Sequence, residues 1–171
     1  ETPPQAPIIA RLRPESRRSP YAVRRQLAQL GYQETINFSF VEERWEHELA
    51  GNAAPIRLLN PIASQMSVMR SSLLGGLLAA LRTNLARRQP RVRLFEVGGC
   101  FAAEAGAYVQ HERVAGLAYG SAMPEQWGAG ARNVDFYDVK GDVEALFSSR
   151  KLNFEAAPHP ASHPGRSARI L

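Results

Sequence analysis

Apolar and polar positions along the chain repeat on two different periods, and the switches between them outline the elements. Val23, Leu27 and Leu30 fall at i, i+4 and i+7, one stripe on one helical face, with Arg24, Arg25, Gln26 and Gln29 mainly off it. Ser19 suits an N-cap, Pro20 the first helical position and Gly31 the stop, which predicts a helix over 20–30. The period then drops to two. Within 32–41, Ile36, Phe38 and Phe40 share one face and Thr35, Asn37 and Ser39 the other, the pattern of a half-buried strand. The acidic run 42–50 predicts a short surface helix ending near Gly51-Asn52, and 56–59 a short strand ended by Asn60-Pro61.

Leucines then dominate. Leu73, Leu77, Leu81 and Leu85 recur at four-residue steps, widened by Leu74 and Leu78, and predict a helix over 73–88 with this stripe in the core. Gln89-Pro90 ends it. Residues 92–101 and 112–119 predict an antiparallel hairpin with a long loop around Gly106, and 120–133 a further loop. A strand over 136–139 and a helix over 142–150 follow, with Asp142 near the helix start where its charge suits the dipole. Strands over 152–154 and 168–171 are separated by the Pro/His-rich stretch 158–165. There is no internal repeat. Helices alternating irregularly with hairpins favour an α+β fold with an antiparallel sheet over a doubly wound parallel one.

The length of 171 residues fits one domain, and 44% apolar with 22% charged residues excludes disorder as the default. No run of 18 apolar residues exists. Cys100 is the single cysteine, so no intrachain disulfide or multi-cysteine zinc site can form, which suits a reducing cytosol. Three prolines in the first seven residues, with Pro14 further on, make 1–18 an extended linker from an upstream domain. An N-terminus without an initiating methionine, and a last segment that breaks off in an apolar strand, are expected of a piece of a longer polypeptide.

Charge adds a second layer. Lys plus Arg is 21 against 16 for Asp plus Glu, a net of +5, and only Lys140 and Lys151 are lysines. No acidic residue lies between Glu48 and Glu96, yet Arg57, Arg70, Arg82, Arg87, Arg88, Arg91 and Arg93 do. Arg11, Arg13, Arg17, Arg18, Arg24 and Arg25 form another cluster. Such clusters fit phosphates or an acidic partner surface; the ordinary alternative is a solvated helix face. No aromatic residues interleave with them, so base stacking is not indicated.

Side-chain chemistry is sparse. The histidines are His47, His111, His159 and His163; Pro160 and Pro164 keep the last two off a common helix face, with no Cys or carboxylate close by. Cys100 falls in a strand, and there is no Gly-x-Ser-x-Gly elbow. Gly98-Gly99 lacks the third spaced glycine of a dinucleotide site. Gly128-Ala-Gly130-Ala-Arg132 is superficially similar to an ATP-binding glycine–arginine element and reads as a loop, because no suitable strand or helix flanks it. No catalytic, cofactor-binding or metal residue is assigned to the chain.

Several longer stretches carry a resemblance. Leu59-Asn-Pro-Ile-Ala-Ser-Gln-Met-Ser-Val-Met-Arg-Ser-Ser-Leu-Leu74, Leu94-Phe-Glu-Val-Gly98, Asp135-Phe-Tyr-Asp-Val-Lys-Gly-Asp-Val-Glu-Ala-Leu146 and His163-Pro-Gly-Arg-Ser-Ala168 resemble, in this order, segments of the bacterial phenylalanyl-tRNA synthetase beta subunit family. Gly31-Tyr-Gln-Glu-Thr-Ile-Asn-Phe-Ser-Phe40 fits too, so the resemblance covers about 8–171. Gly75 departs from it, standing where the family has proline, a change expected to loosen the first helical turn.

The resemblance implies a class II aminoacyl-tRNA synthetase-like antiparallel sheet flanked by helices, truncated at its C-terminal strands. Residues 19–171 would form a catalytic-like but inactive core. By the same resemblance, phenylalanine activation with ATP and magnesium, and the charging of tRNA(Phe), would belong to the alpha subunit of a cytoplasmic (αβ)2 heterotetramer, and this piece would hold no cofactor. A class II site also needs second-motif arginines to meet the ATP α-phosphate. Arg93 precedes Phe95-Glu96 on the matching strand, but the loop 102–107 offers no second arginine. The family's first-motif interface maps onto the helix 20–30 and strand 33–41, giving Val23, Leu27, Leu30 and Phe38 as interface candidates or, for the helix residues, ordinary core. Arg24, Arg25, Arg87 and Arg88 are candidates for tRNA or phosphate contact. A basic tRNA-binding module is the alternative function.

Overall fold

The computed structural model of the chain describes residues 19–128, 130–147, 150–163 and 165–171. The linker expected over 1–18 lies outside the described residues.

Helix α1 spans Pro20–Gln29, with the Ser19 hydroxyl accepting from the Ala22 N–H at 3.3 Å. It ends as predicted at Gly31, whose φ of +83° lets Gly31 N–H reach Ala28 O and Tyr32 N–H reach Leu27 O. Strands β1 (Gln33–Glu34) and β2 (Phe40–Val41) replace the single strand expected over 32–41. Between them the alternation is inverted. Ile36 is 93% exposed and Phe38 70%, while Asn37 turns inward and donates through N and Nδ2 to Glu96. A buried carboxylate left without donors costs more than two apolar side chains left in water, so the polar positions face in.

Helix α2 (Glu43–Trp45) runs on as a π-helical turn over Glu46–Ala50 that stops at Gly51, close to the sequence expectation. It is not wholly a surface helix, because Glu46 is buried, accepting from Ser71 N and Oγ and from Asn52 Nδ2. The strand expected over 56–59 reduces to one bridge, Arg57 to Val68. Strand β3 (Val68–Met69) pairs antiparallel with β2.

Helix α3 covers Leu74–Ala86. Leu73 and Leu77 are buried, Leu81 is half-buried and Leu85 is surface-exposed. Four residues turn a helix about 40° past a full circle, so three such steps swing Leu85 roughly 120° away from Leu73. That drift takes the last leucine out of the expected core stripe. Gly75, near the helix start, lies under the Trp45 indole: a Cβ there would stand 2.4 Å from Cε3. The glycine expected to weaken the helix is what lets Trp45 pack on it.

Strands β4 (Arg91–Glu104) and β5 (Ala107–Gly120) pair antiparallel over their whole lengths. The long loop expected near Gly106 is instead the two-residue turn Ala105-Gly106, with φ of +48° and +81°. Those positive values match the turn's twist to that of the strands, which is why the pairing runs to the end. Helix α4 (Phe136–Leu146) overturns both the strand over 136–139 and the helix start at 142. Asp135 caps it, accepting from Tyr137 and Asp138 N–H, while Asp138 accepts from Asp135 N–H, a reciprocal box that decides the conformation over local β-propensity. Strands β6 (Phe154–Ala156) and β7 (Ala168–Ile170) form a separate antiparallel pair.

The class is α+β, as expected, but the main sheet is mixed, in the order β1-β4-β5 with β1 parallel to β4. Alternation along β4 divides the core. Val92 and Leu94 meet Leu77 of α3 on one face, and Phe95 meets Leu27 and Tyr32 on the other, with Leu146 of α4 against them.

Candidate functional site

Two buried charged clusters lie on β4, one on each face. On the α3 face Glu96 and Arg70 form an ion pair, Nη1 to Oε1 at 2.7 Å, with side chains only 3% and 5% exposed. Arg70 Nε also donates to Gly99 O at 2.9 Å, and Glu96 Oε2 accepts from Asn37 Nδ2 at 2.6 Å. Gly98 makes room: a Cβ there would stand 2.4 Å from Arg70 Nη2. Gly98 is thus a clearing for a guanidinium, while a Cβ on Gly99 would meet the Gln110 side chain. The Arg70 backbone extends the tie, its N–H donating to Ser39 O and its O accepting from Phe101 N–H, both at 2.9 Å.

On the opposite face Arg93 Nη1 donates to Asp142 Oδ2 at 2.9 Å and Nη2 to Ala122 O at 3.3 Å. Its guanidinium carbon lies 5.2 Å from the Tyr32 ring centroid, and Nε has no acceptor among the described residues. The Tyr32 hydroxyl donates to the same Asp142 Oδ2 at 2.7 Å. Burial first, and then the bond to Asp142, push the Tyr32 phenol well above its usual value. It remains a neutral donor at physiological pH. The cluster fastens α4 and the end of α1 onto the sheet.

Both clusters spend their charged groups on one another and on backbone carbonyls. Arg93, the strand arginine that the resemblance sets against an ATP α-phosphate, is enclosed by a carboxylate, a carbonyl and an aromatic ring, so its guanidinium is not open to a nucleotide. Burial pushes the Cys100 thiol up, which leaves it a poor nucleophile. His159 and His163 are exposed, and His159 Nδ1 accepts from Ala161 N–H in a loop. Among the described residues no group of three or more His, Cys, Asp or Glu is placed to hold a metal ion. No helix of the described residues is long and apolar enough to cross a membrane.

The residues singled out from sequence scatter. Leu27 is buried against Tyr32 and Phe95, and Val23 and Leu30 pack on that cluster, so three of the four interface candidates serve the chain's own core. Phe38 alone among them stands out from the surface. Arg24 is tied to Glu34 at 2.6 Å, while Arg25 is exposed. Arg87 and Arg88 are exposed just beyond α3, on the other face of the sheet from α1. The pattern reading missed Arg70, Glu96, Tyr32 and Asp142. Arg70 and Glu96 stand inside the two quoted stretches 59–74 and 94–98, and their meeting gives those stretches a common structural reason.

A family model described as the phenylalanyl tRNA synthetase beta chain CLM domain matches residues 1–171. The chain belongs to this family. The phenylalanine–tRNA ligase beta subunit of Dechloromonas aromatica (strain RCB) is 56% identical over 176 residues, covering 98% of this chain and 22% of that protein. Its counterpart in Aromatoleum aromaticum (strain DSM 19018 / LMG 30748 / EbN1) is 57% identical over 173 residues, with the same coverages of 98% and 22%. The chain therefore spans about a fifth of the length of the curated relatives it matches. Among solved structures, a pyrrolysyl tRNA synthetase from Desulfitobacterium hafniense aligns with a TM-score of 0.49 at 15% identity, over 81% of this chain and 49% of that one.

Proposed function

We propose that this chain is the class II-like but non-catalytic core of a phenylalanine–tRNA ligase beta subunit, and that its work is to dock and brace the alpha subunit. The observation that carries the reading is the enclosure of Arg93: the side chain a class II site would aim at a nucleotide is spent on Asp142, Ala122 and Tyr32. In this reading ATP, magnesium and phenylalanine are handled by the alpha subunit, the assembly is a cytoplasmic (αβ)2 heterotetramer, and tRNA(Phe) is charged by the whole complex.

The surface around the 35–40 segment supports docking. Phe38, Phe40, Trp45 and Met66 line a shallow apolar groove of about 170 Å³, and Ile36 stands exposed in the same segment. Large aromatic side chains held out of the core are what buried interface centres use as anchors. The test is co-purification of the full-length beta chain with the alpha subunit, with mass read by light scattering, alongside ATP–pyrophosphate exchange by the beta chain alone. A stable complex and no exchange are expected. Exchange by the beta chain alone would overturn the non-catalytic reading, and a folded beta chain that binds no alpha subunit would overturn docking.

A further inference from the structure

Between β1 and β2 the chain turns two large apolar side chains into water and holds them there. Ile36 is 93% exposed and Phe38 70%. The backbone around them is fastened from within. Thr35 N–H donates to Phe95 O at 2.8 Å. Asn37 N–H donates to Glu96 Oε1 at 3.3 Å, and Asn37 Nδ2 donates to Glu96 Oε2 at 2.6 Å and to Thr35 Oγ1 at 3.1 Å. Arg70, paired with Glu96, donates from its N–H to Ser39 O at 2.9 Å and from Nη1 to Phe38 O at 3.5 Å. Thr35, Asn37, Phe38 and Ser39 thus all hang on β4 or on Arg70.

The seat of Asn37 is cut into α3. A Cβ on Gly76 would stand 2.8 Å from Asn37 Cβ, just as one on Gly75 would strike Trp45. Asn37, Phe38, Phe40, Trp45 and Gly76 line one groove, so the glycine pair shapes the wall against which the aromatic side chains stand. The hydrophobic effect alone does not ask for this arrangement. Turning 35–39 over would bury Ile36 and Phe38 and solvate Asn37, but it would strip the buried Glu96 of two donors. The buried pair therefore sets the face that the segment shows.

We infer that Asn37 is a positioning residue for subunit association: held by Glu96 in its pair with Arg70, it fixes 35–39 with Ile36 and Phe38 outward, so that the docking surface is formed before the alpha subunit arrives. The inference rests on the docking role proposed above and adds to it the device that presents the surface. Anchors already fixed in their bound conformation spare association the cost of ordering them. Asn37 acts through Phe38 and not by touching the partner. Without its bonds the segment spreads over other conformations, and the apparent affinity falls by the fraction that still presents Phe38.

The test titrates full-length beta chain with the alpha subunit and follows amide hydrogen exchange of the free beta chain, for Asn37→Ala, Gly76→Ala and Phe38→Glu. Gly76→Ala pushes Asn37 from its seat while leaving Glu96 and Phe38 as they are, and alanine for glycine inside a helix leaves α3 no weaker. For Asn37→Ala and Gly76→Ala, binding roughly tenfold weaker is expected, as if about a tenth of the molecules still presented Phe38. Exchange should quicken over 33–40 and stay unchanged over α1 and β4. Parental affinity in both variants, with binding lost in Phe38→Glu, would overturn the inference and leave docking standing. Weaker binding without faster exchange over 33–40 would also overturn it, since these residues would then touch the partner directly. Faster exchange throughout α1 and β4 in both variants would reduce Asn37 to a stability role. Parental binding by Phe38→Glu would instead remove the docking reading itself.

Discussion

Replacing Arg70 by methionine removes one half of the Arg70–Glu96 pair and keeps most of the volume. Glu96 would then remain with a side chain 3% exposed and only the Asn37 donors, while Gly99 O would lose the 2.9 Å bond from Nε. Breaking a buried pair by removing one partner costs about 3–5 kcal/mol, because the remaining charge is neither solvated nor matched. With a urea dependence of about 2 kcal/mol per molar, the unfolding midpoint of the isolated chain should fall by roughly 1.5–2.5 M. Trp45 provides the readout, since it packs over Gly75 while Trp127 is fully exposed. The double change Arg70→Met/Glu96→Met should recover much of the loss, because a well-packed apolar pair can replace a buried ionic one. A cost below about 1 kcal/mol for Arg70→Met alone would mean that the pair is solvated and not buried, since only a solvated pair is worth so little.

Two further substitutions test neighbouring parts of the account. Gly75→Ala places a Cβ against the Trp45 indole and should cost about 1–3 kcal/mol, read from the urea midpoint together with a shift in Trp45 emission; an unchanged midpoint would remove the packing role of the glycine. The Arg132 guanidinium, bonded to both oxygens of Asp138, holds that carboxyl well below the usual carboxylate range. A depressed folded value means that the stabilisation is present above the unfolded value near pH 4 and disappears as the pH falls toward the folded one. Asp138→Asn should therefore flatten the acid limb of the stability curve below about pH 4, and an unaltered limb would contradict the assignment.

Legibility followed the length over which a pattern had to hold. The helix 20–30 was readable because three local signals agreed: Ser19, the leucine stripe and Gly31. The β4–β5 hairpin was readable as strands, but the closeness of its turn was not, because Ala105-Gly106 lacks the Asn-Gly signature of such a turn. The 32–41 alternation misled because its period was real while its orientation was set from outside, by Glu96 some 59 residues away drawing Asn37 inward. Asp135 and Asp138 together were a helix-start signal that the apolar run beginning at Phe136 masked. The charged clusters were least visible, since nothing in the local order of residues says that Arg70 meets Glu96 or that Arg93 meets Asp142. The same distance effect moved Leu27 from the list of docking candidates into the core. A Leu27→Asp change therefore reports on folding, and the docking role has to be tested elsewhere.

Phe38 is the place to test it. The most direct measurement is the light-scattering mass of the full-length beta chain carrying Phe38→Glu, co-purified with the alpha subunit. The side chain is 70% exposed and outside the chain's core clusters, so the variant should fold with its urea midpoint nearly unchanged. Loss of the heterotetramer mass and recovery of free beta chain are expected. A full-mass complex with the folded variant would contradict docking through this surface.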